Sequence, residues 1–188
     1  MKKVLLHICC GVCAGSVVQR LRDDGFEVTG YFYNPNIYPQ EEYKQRLEVV
    51  RQASQLLGFT LVEGLYEPSA WQKCIQGLEA EPEGGKRCLA CFRVRLQKTA
   101  EKTKELGIEH MASTLSVSPH KNVQEINKIG SEICAGFLPY DFKKQDGFKK
   151  TMDFAKEHNF YRQHYCGCEK SRIEAELRDA NKSRIGTK

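Results

Sequence analysis

The chain has 188 residues, of which 40% are hydrophobic and 28% charged, with a formal net charge of +5. That length carries one domain with a real core, burying roughly 70% of the surface its unfolded chain exposes. The composition is that of an ordinary globular protein, and no apolar run reaches the roughly 20 residues of a membrane-spanning helix.

Taken in chain order, "KVLLHI" (3–8) reads as a buried strand. The opening "MKKVLLHICC" imitates a secretory leader weakly, since His7 and the cysteines interrupt its short apolar run, so a cytoplasmic protein is expected. Ala14, Val17, Val18 and Leu21 follow at helical spacing, and "DDG" (23–25) stops that helix. "EVTGYFY" (27–33) is a second strand, ended by "NPNIYP". Tyr43, Leu47, Val50, Ala53 and Leu57 mark a helix closed by Gly58, and "FTLVE" (59–63) is a third strand. A short helix is expected over about 68–78, a Pro/Gly loop over 79–87, and a helix through Phe92, Leu96, Ala100 and Thr103. "HMAST" (110–114) reads as a fourth strand, followed by helices near 119–135, 147–157 and 169–181. No repeat, low-complexity tract or linker divides the chain, so residues 1–188 are expected to form a single domain.

Strands alternating with helices predict an α/β fold, a parallel sheet with helices on both faces. Ligands in such sheets bind beyond the carboxyl ends of the strands. His7-Ile8-Cys9, Tyr33-Asn34-Pro35, Glu63 and Ser113-Thr114 stand at those ends.

Nine cysteines are many for a compartment that keeps thiols reduced, where clustered cysteines point to metal or redox chemistry. Cys74 and Cys134 sit among apolar residues at helical spacing and read as packed thiols. The other seven fall into three groups: "CCGVC" with Cys9, Cys10 and Cys13; "RCLAC" with Cys88 and Cys91; "CGC" with Cys166 and Cys168. Each group precedes or opens a helix, where free N–H groups and the positive dipole end favour thiolate, the metal-binding form. Alternation along a strand sends Cys9 and Cys10 to opposite sides, which predicts two neighbouring centres or one ligand beside one packed thiol. Seven thiols exceed the four of a zinc site or of one iron–sulfur cluster. The spacing leaves open a catalytic iron–sulfur centre, a structural zinc or a thioredoxin-like pair. The small residues of "CCGVCAGS" could cradle a phosphate, but thiolates there would repel it, which argues against ATP.

Polar residues at the same edge are candidates for substrate contact. Asn34 and Asn36 could read a base edge, Ser113 and Thr114 offer hydroxyls, and Lys121 could meet a phosphate. Alternatively the asparagines cap a turn and Ser118 caps the next helix. "YDFKKQDGFKK" (140–150) interleaves aromatics and lysines in a pattern suited to RNA. Asp141 is the acid expected near the metals, as ligand or proton donor. Tyr161, Arg162 and Gln163 lead into the last thiol pair, while His7 and His164 could serve as ligands but, as lone histidines, read first as structural. Residues 140–188 hold 12 Lys/Arg against 8 Asp/Glu, so the positive excess lies late in the chain and suits a phosphate-rich partner.

Together "HICCGVC", "NPNIYP", "RCLACFRVRL", "STLSVSPHK", "DFKKQDGF" and "YRQHYCGCEKS" resemble the QueH-type epoxyqueuosine reductases, over essentially the whole chain. The resemblance implies an adenine-nucleotide hydrolase-like (HUP/Rossmann-like) sheet with extra C-terminal helices. It implies a cobalamin-independent enzyme that removes the epoxide oxygen of epoxyqueuosine in tRNA, the last step of queuosine synthesis. A [4Fe-4S] cluster and one additional iron ion are implied as cofactors. The partners are tRNA carrying epoxyqueuosine and an unidentified electron donor, with no membrane and no DNA. On this basis Cys88 and Cys91 are expected on the cluster with two of Cys10, Cys13, Cys166 and Cys168. Cys9 and a remaining thiol, with Asp141, would hold the lone iron, and Cys9, Cys13 and Asp141 would carry the chemistry. The competing readings are an ATP-dependent tRNA sulfur transferase and a zinc-stabilised tRNA-binding module.

Overall fold

In the computed structural model, which describes residues 1–185, four parallel strands form one sheet in the order β3-β2-β1-β4. The strands are β1 (Lys2–His7), β2 (Phe26–Phe32), β3 (Thr60–Glu63) and β4 (His110–Ser113). The helices are α1 (Gly11–Asp23), α2 (Gln40–Leu57), α3 (Pro68–Cys74), α4 (Lys86–Glu105), α5 (Val123–Ile133), α6 (Gly147–Glu157) and α7 (Glu169–Ile185). The expected domain ran to 188; residues 186–188 lie outside the described residues.

Period-two alternation in β1 sorts its side chains between two cores. Val4, Leu6 and Ile8 join the large core with Val17, Val18, Leu21 and Val50 from α1 and α2. Leu5 falls in a smaller cluster with Tyr31 and Tyr33, against which Ile108 packs. Helix α1 packs on both α2 and α6, while α4 packs on β1 and β4. The approach of α1 to α2 depends on Gly11, where a Cβ would stand 2.4 Å from the Val49 carbonyl oxygen. Any side chain there pushes the two helices apart at the end of α1 that carries the thiols.

The expected elements are all present, with shifted edges. The fourth strand gives way to a 3-10 turn over Thr114–Val117, and α5 starts only at Val123. Asn122, not Ser118, caps α5: its side-chain oxygen accepts the Gln124 and Glu125 N–H groups at 2.9 and 3.4 Å. Ser118 instead accepts the His120 N–H at 3.3 Å. Among the described residues, no helix is long and apolar enough to cross a membrane.

All strands being parallel, their carboxyl ends share one edge, and the starts of α1 and α4 meet there. Neither Cys10 at the start of α1 nor Gly85 at the start of α4 caps its helix with a side chain, and the first N–H of α4, that of Lys86, is accepted by Glu81 Oε2 at 3.2 Å.

Candidate metal centre

The strand β1 ends at His7, and Ile8, Cys9 and Cys10 already lie outside it. This corrects the expectation from alternation. Once the chain leaves the pleat, its side chains need not diverge, and the Sγ atoms of Cys9, Cys10 and Cys13 all lie within 4.8 Å of one another. Cys10 and Cys13, spaced as N-cap and third residue of α1, bring their sulfurs to 2.9 Å. Cys9 and Cys10 stand 3.9 Å apart.

The triad is electrostatically uneven. Contacts from the Cys10 and then the Cys13 thiols hold Cys9 well below the ordinary thiol range, against the pull of burial, with the Lys121 and Arg95 charges helping. Cys13 is driven upward by Cys10 and Cys9 and by burial, so Cys9 is the thiol of the three that most favours its charged form. Thr114 fixes that thiolate: its hydroxyl donates to the Cys9 sulfur at 3.3 Å and accepts the Cys9 N–H at 3.0 Å.

Four further thiols line one cavity of about 230 Å³: Cys88 and Cys91 from the first turns of α4, and Cys166 and Cys168 before α7. Burial pushes the Cys91 thiol up to about 12, and Cys88 rises for the same reason. The Cys166 and Cys168 sulfurs raise both further. Neutral buried thiols lose their protons to a metal, whose positive charge replaces them.

The burial of arginines at this edge was not legible in the chain. Arg87 is 2% exposed, and its Nη1 donates to the Cys168 sulfur at 3.1 Å. Its Nε and Nη2 have no hydrogen-bond partner among the described residues. Leaving a buried donor unpaired costs roughly 1–3 kcal/mol, more for a charged group. Arg95 donates to Asn34 Oδ1 at 2.5 Å and lies 3.8 Å from the Cys91 sulfur. Lys121 lines the same cavity. Burial alone would lower its ammonium, but the sulfurs of Cys166, Cys9 and Cys13 outweigh burial and lift it above the ordinary lysine value. It therefore feels both sets of thiols at once.

A buried ion pair shapes the "CGC" turn. Arg46 and Glu42 of α2 pair at 2.7 Å. Arg46 also donates to the Cys166 and Tyr165 carbonyls at 2.9 and 3.1 Å, and Tyr161 donates to Glu42 Oε2 at 2.7 Å. Gly167 sits at φ +144, and a Cβ there would meet Asn36 Nδ2 at 2.9 Å and Arg46 Nη1 at 3.2 Å. Glycine is thus the residue that lets Cys166 and Cys168 flank so tight a bend. Arg46→Met should remove the two carbonyl clamps and strand the Glu42 carboxylate. The expected loss is about 3–5 kcal/mol of stability, read from urea unfolding of the apoprotein; a midpoint equal to wild type would contradict the clamp.

The other sequence candidates divide. Asn36 lines the thiol cavity with its Oδ1 unpaired. Asn34, expected to face substrate, is 1% exposed, and both ends of its amide are used internally, the Nδ2 donating to the Ile8 carbonyl at 2.9 Å. Ser113 is likewise internal: its Oγ accepts the Leu115 N–H at 3.2 Å and lies 2.9 Å from His7 Nδ1. His7 Nε2 donates to the Tyr33 carbonyl at 3.2 Å. Burial, then the Arg95 charge, pushes His7 down to about 3, so it is a neutral core residue. Thr114 is wholly buried against Cys9. These polar side chains could not be told from substrate-facing ones in the chain, because a strand's carboxyl end offers both.

Tyr161 is half-buried on Glu42, Gln163 half-buried and Arg162 exposed. His164 is exposed and paired with Asp179. Asp141 is outside the thiol triad; its carboxylate accepts the Lys143 N–H at 3.1 Å, and Lys143 Nζ donates to the Lys121 carbonyl at 3.1 Å. Cys74 is half-buried beside Trp71, and Cys134 ends α5 against the large core.

The donor set suits a thiolate-bound centre. The family model for epoxyqueuosine reductase QueH matches residues 4–174. The chain belongs to the QueH family. A QueH epoxyqueuosine reductase of Streptococcus pyogenes serotype M1 is 41% identical over 175 residues, 88% of this chain and 68% of the relative. That of Haemophilus influenzae is 36% identical, covering 98% of this chain and 76% of the relative. That of Thermotoga maritima is 33% identical, with 98% and 97% covered. Among solved structures, a chain described as a predicted subunit of tRNA methyltransferase from Methanocaldococcus jannaschii superposes with a TM-score of 0.55 at 12% identity, covering 87% of this chain and 94% of that one. At that identity the likeness concerns the fold alone, and it is the fold expected for the QueH family.

Proposed function

We propose that this chain reduces epoxyqueuosine in tRNA, removing the epoxide oxygen to leave the cyclopentene of queuosine, in the cytoplasm and with electrons from a separate donor. The observation that carries the reading is the sorting of seven thiols into a cavity-lining four and a neighbouring three, joined by Lys121, in a member of the QueH family. Cys88, Cys91, Cys166 and Cys168 would hold a [4Fe-4S] cluster, four thiolates being what such a cluster takes. Cys9, Cys10 and Cys13 would hold the second iron. The sequence left open which two of Cys10, Cys13, Cys166 and Cys168 join Cys88 and Cys91, and this division takes the last two, leaving Cys10 and Cys13 with Cys9.

Epoxide removal as water takes two electrons and two protons. When bound, the two centres would supply the electrons and a Lewis acid for the epoxide oxygen. The protein's own part is placement. Thr114 donates to the Cys9 sulfur, Arg46 holds the "CGC" turn against the cavity, and Asn36 lines the cavity with its buried Oδ1 unpaired. Lys121 puts a positive charge between the two sets of thiols, where a developing alkoxide would be stabilised. Asp141 belongs to the segment that Lys143 fastens to Lys121 and is the acid of this reading. Tyr161, Arg162 and Gln163 lie beside the last thiol pair and are its contacts to the RNA. An anticodon-loop base can be turned out toward such a cavity more cheaply than a paired one.

The test uses protein purified without oxygen, a chemical or flavoprotein reductant and tRNA containing epoxyqueuosine. Nucleosides digested from the product should show queuosine, one oxygen lighter, and the protein should be coloured and contain iron and acid-labile sulfide. Colourless protein holding zinc, with no conversion, would replace this reading by that of a zinc-stabilised RNA-binding module.

A further inference from the structure

The mechanism above makes no use of the most costly group at the site, the buried guanidinium of Arg87. Its side chain lines the cavity of the four thiols, donates from Nη1 to the Cys168 sulfur at 3.1 Å, and leaves Nε and Nη2 unpaired. The carboxylates lining the same cavity, Glu83 and Glu125, form no ion pair with it among the described residues. A guanidinium keeps its charge at any pH a protein survives, so a burial this deep needs negative charge close by. Among the described residues, the group that its fork touches is the Cys168 sulfur. Arg95 repeats the pattern from the same helix: 2% exposed, 3.8 Å from the Cys91 sulfur, with Nε unpaired. Helix α4 therefore supplies two of the four thiols and, within three turns, two cations directed at the quartet.

We propose that Arg87, assisted by Arg95, is the positioning and charge-balancing residue of the quartet's metal centre, donating N–H bonds to its sulfurs and raising its reduction potential. The inference rests on the iron–sulfur reading above. Four thiolates leave such a cluster with net negative charge, and reduction adds another electron. Net charge and hydrogen bonds to sulfur are the levers that set the potential of these centres. A buried cation with two free N–H groups favours the reduced, more negative state over the oxidised one. Arginine suits the task better than lysine, because its rigid fork reaches more than one sulfur at once.

The experiment compares wild type, Arg87→Met, Arg87→Lys and Arg95→Met in the full chain, purified and reconstituted without oxygen. Iron and sulfide are measured first, then the midpoint potential by optical and paramagnetic-resonance titration. Arg87→Met should hold its cluster at a clearly more negative midpoint. Arg87→Lys, keeping the charge without the fork, should lie between it and wild type, and Arg95→Met should move in the same direction by less. An Arg87→Met cluster at the wild-type midpoint overturns the proposal. If that variant assembles no cluster, Arg87→Gln, which keeps N–H donors without the charge, decides by the same comparison. A wild-type protein with no iron–sulfur cluster defeats the underlying reading before any potential is measured, and so is told apart from failure of the arginine's role.

Discussion

Cys88→Ser, purified without oxygen, should lose about four irons and about four sulfides per chain together with its visible colour, while its far-ultraviolet circular dichroism stays that of wild type. Cys88 opens α4, receives the Gly84 N–H on its sulfur at 3.2 Å, and shares a cavity with Cys91, Cys166 and Cys168. Serine keeps the shape but replaces a soft, ionisable donor with a hydroxyl that holds its proton, and iron–sulfur clusters select for thiolate. The fold should survive because Cys88 is only half-buried, while α4 enters the large core through Phe92 and Leu96. Epoxide reduction should fall by more than the roughly 10–100-fold typical of changes to residues behind the ligands. Iron and sulfide at wild-type levels would remove Cys88 from the centre.

Cys9→Ala should give the complementary result: sulfide retained, about one iron lost, and conversion of the modified tRNA abolished. Within the triad the Cys10 and Cys13 thiols favour the charged form of Cys9, whose sulfur also receives the Thr114 hydroxyl at 3.3 Å. Without Cys9, Cys10 and Cys13 remain as a pair with no anchored negative charge to attract a cation. The two variants together test the division of the seven thiols, since Cys88→Ser should lose sulfide and Cys9→Ala should not. Equal loss of sulfide in both would mean that the triad and the four share a single cluster, and the second iron would go.

Much of this molecule was legible residue by residue. Helical spacing in Ala14, Val17, Val18 and Leu21 and the short apolar run within "KVLLHI" are local patterns, and local patterns fix local elements. The grouping of seven cysteines at helix starts was legible for the same reason, since each group carries its helix start with it. The edge of the fourth strand was less legible because "HMASTLSV" passes from strand to 3-10 turn without a breaker, the turn being capped by the side chain of Ser113. Asn34 and Ser113 read as outward-facing from the chain, yet their hydrogen bonds run to Arg95 and His7, 61 and 106 residues away.

The amino-acid order alone determined that strands and helices alternate, that the strand ends carry thiols, and that the motif set is that of the QueH family. Only the tertiary structure decided which sulfurs meet. Cys9 and Cys10 converge because the backbone leaves the pleat at His7, and the four remaining thiols meet because α4 and the "CGC" turn are drawn to one edge of the sheet. It also decided that Arg46, Arg87 and Arg95, ordinary helix-surface residues by composition, are buried beside them. Side chains separated by 80 residues find each other through packing of the elements between, and no short-range pattern in a chain encodes that distance.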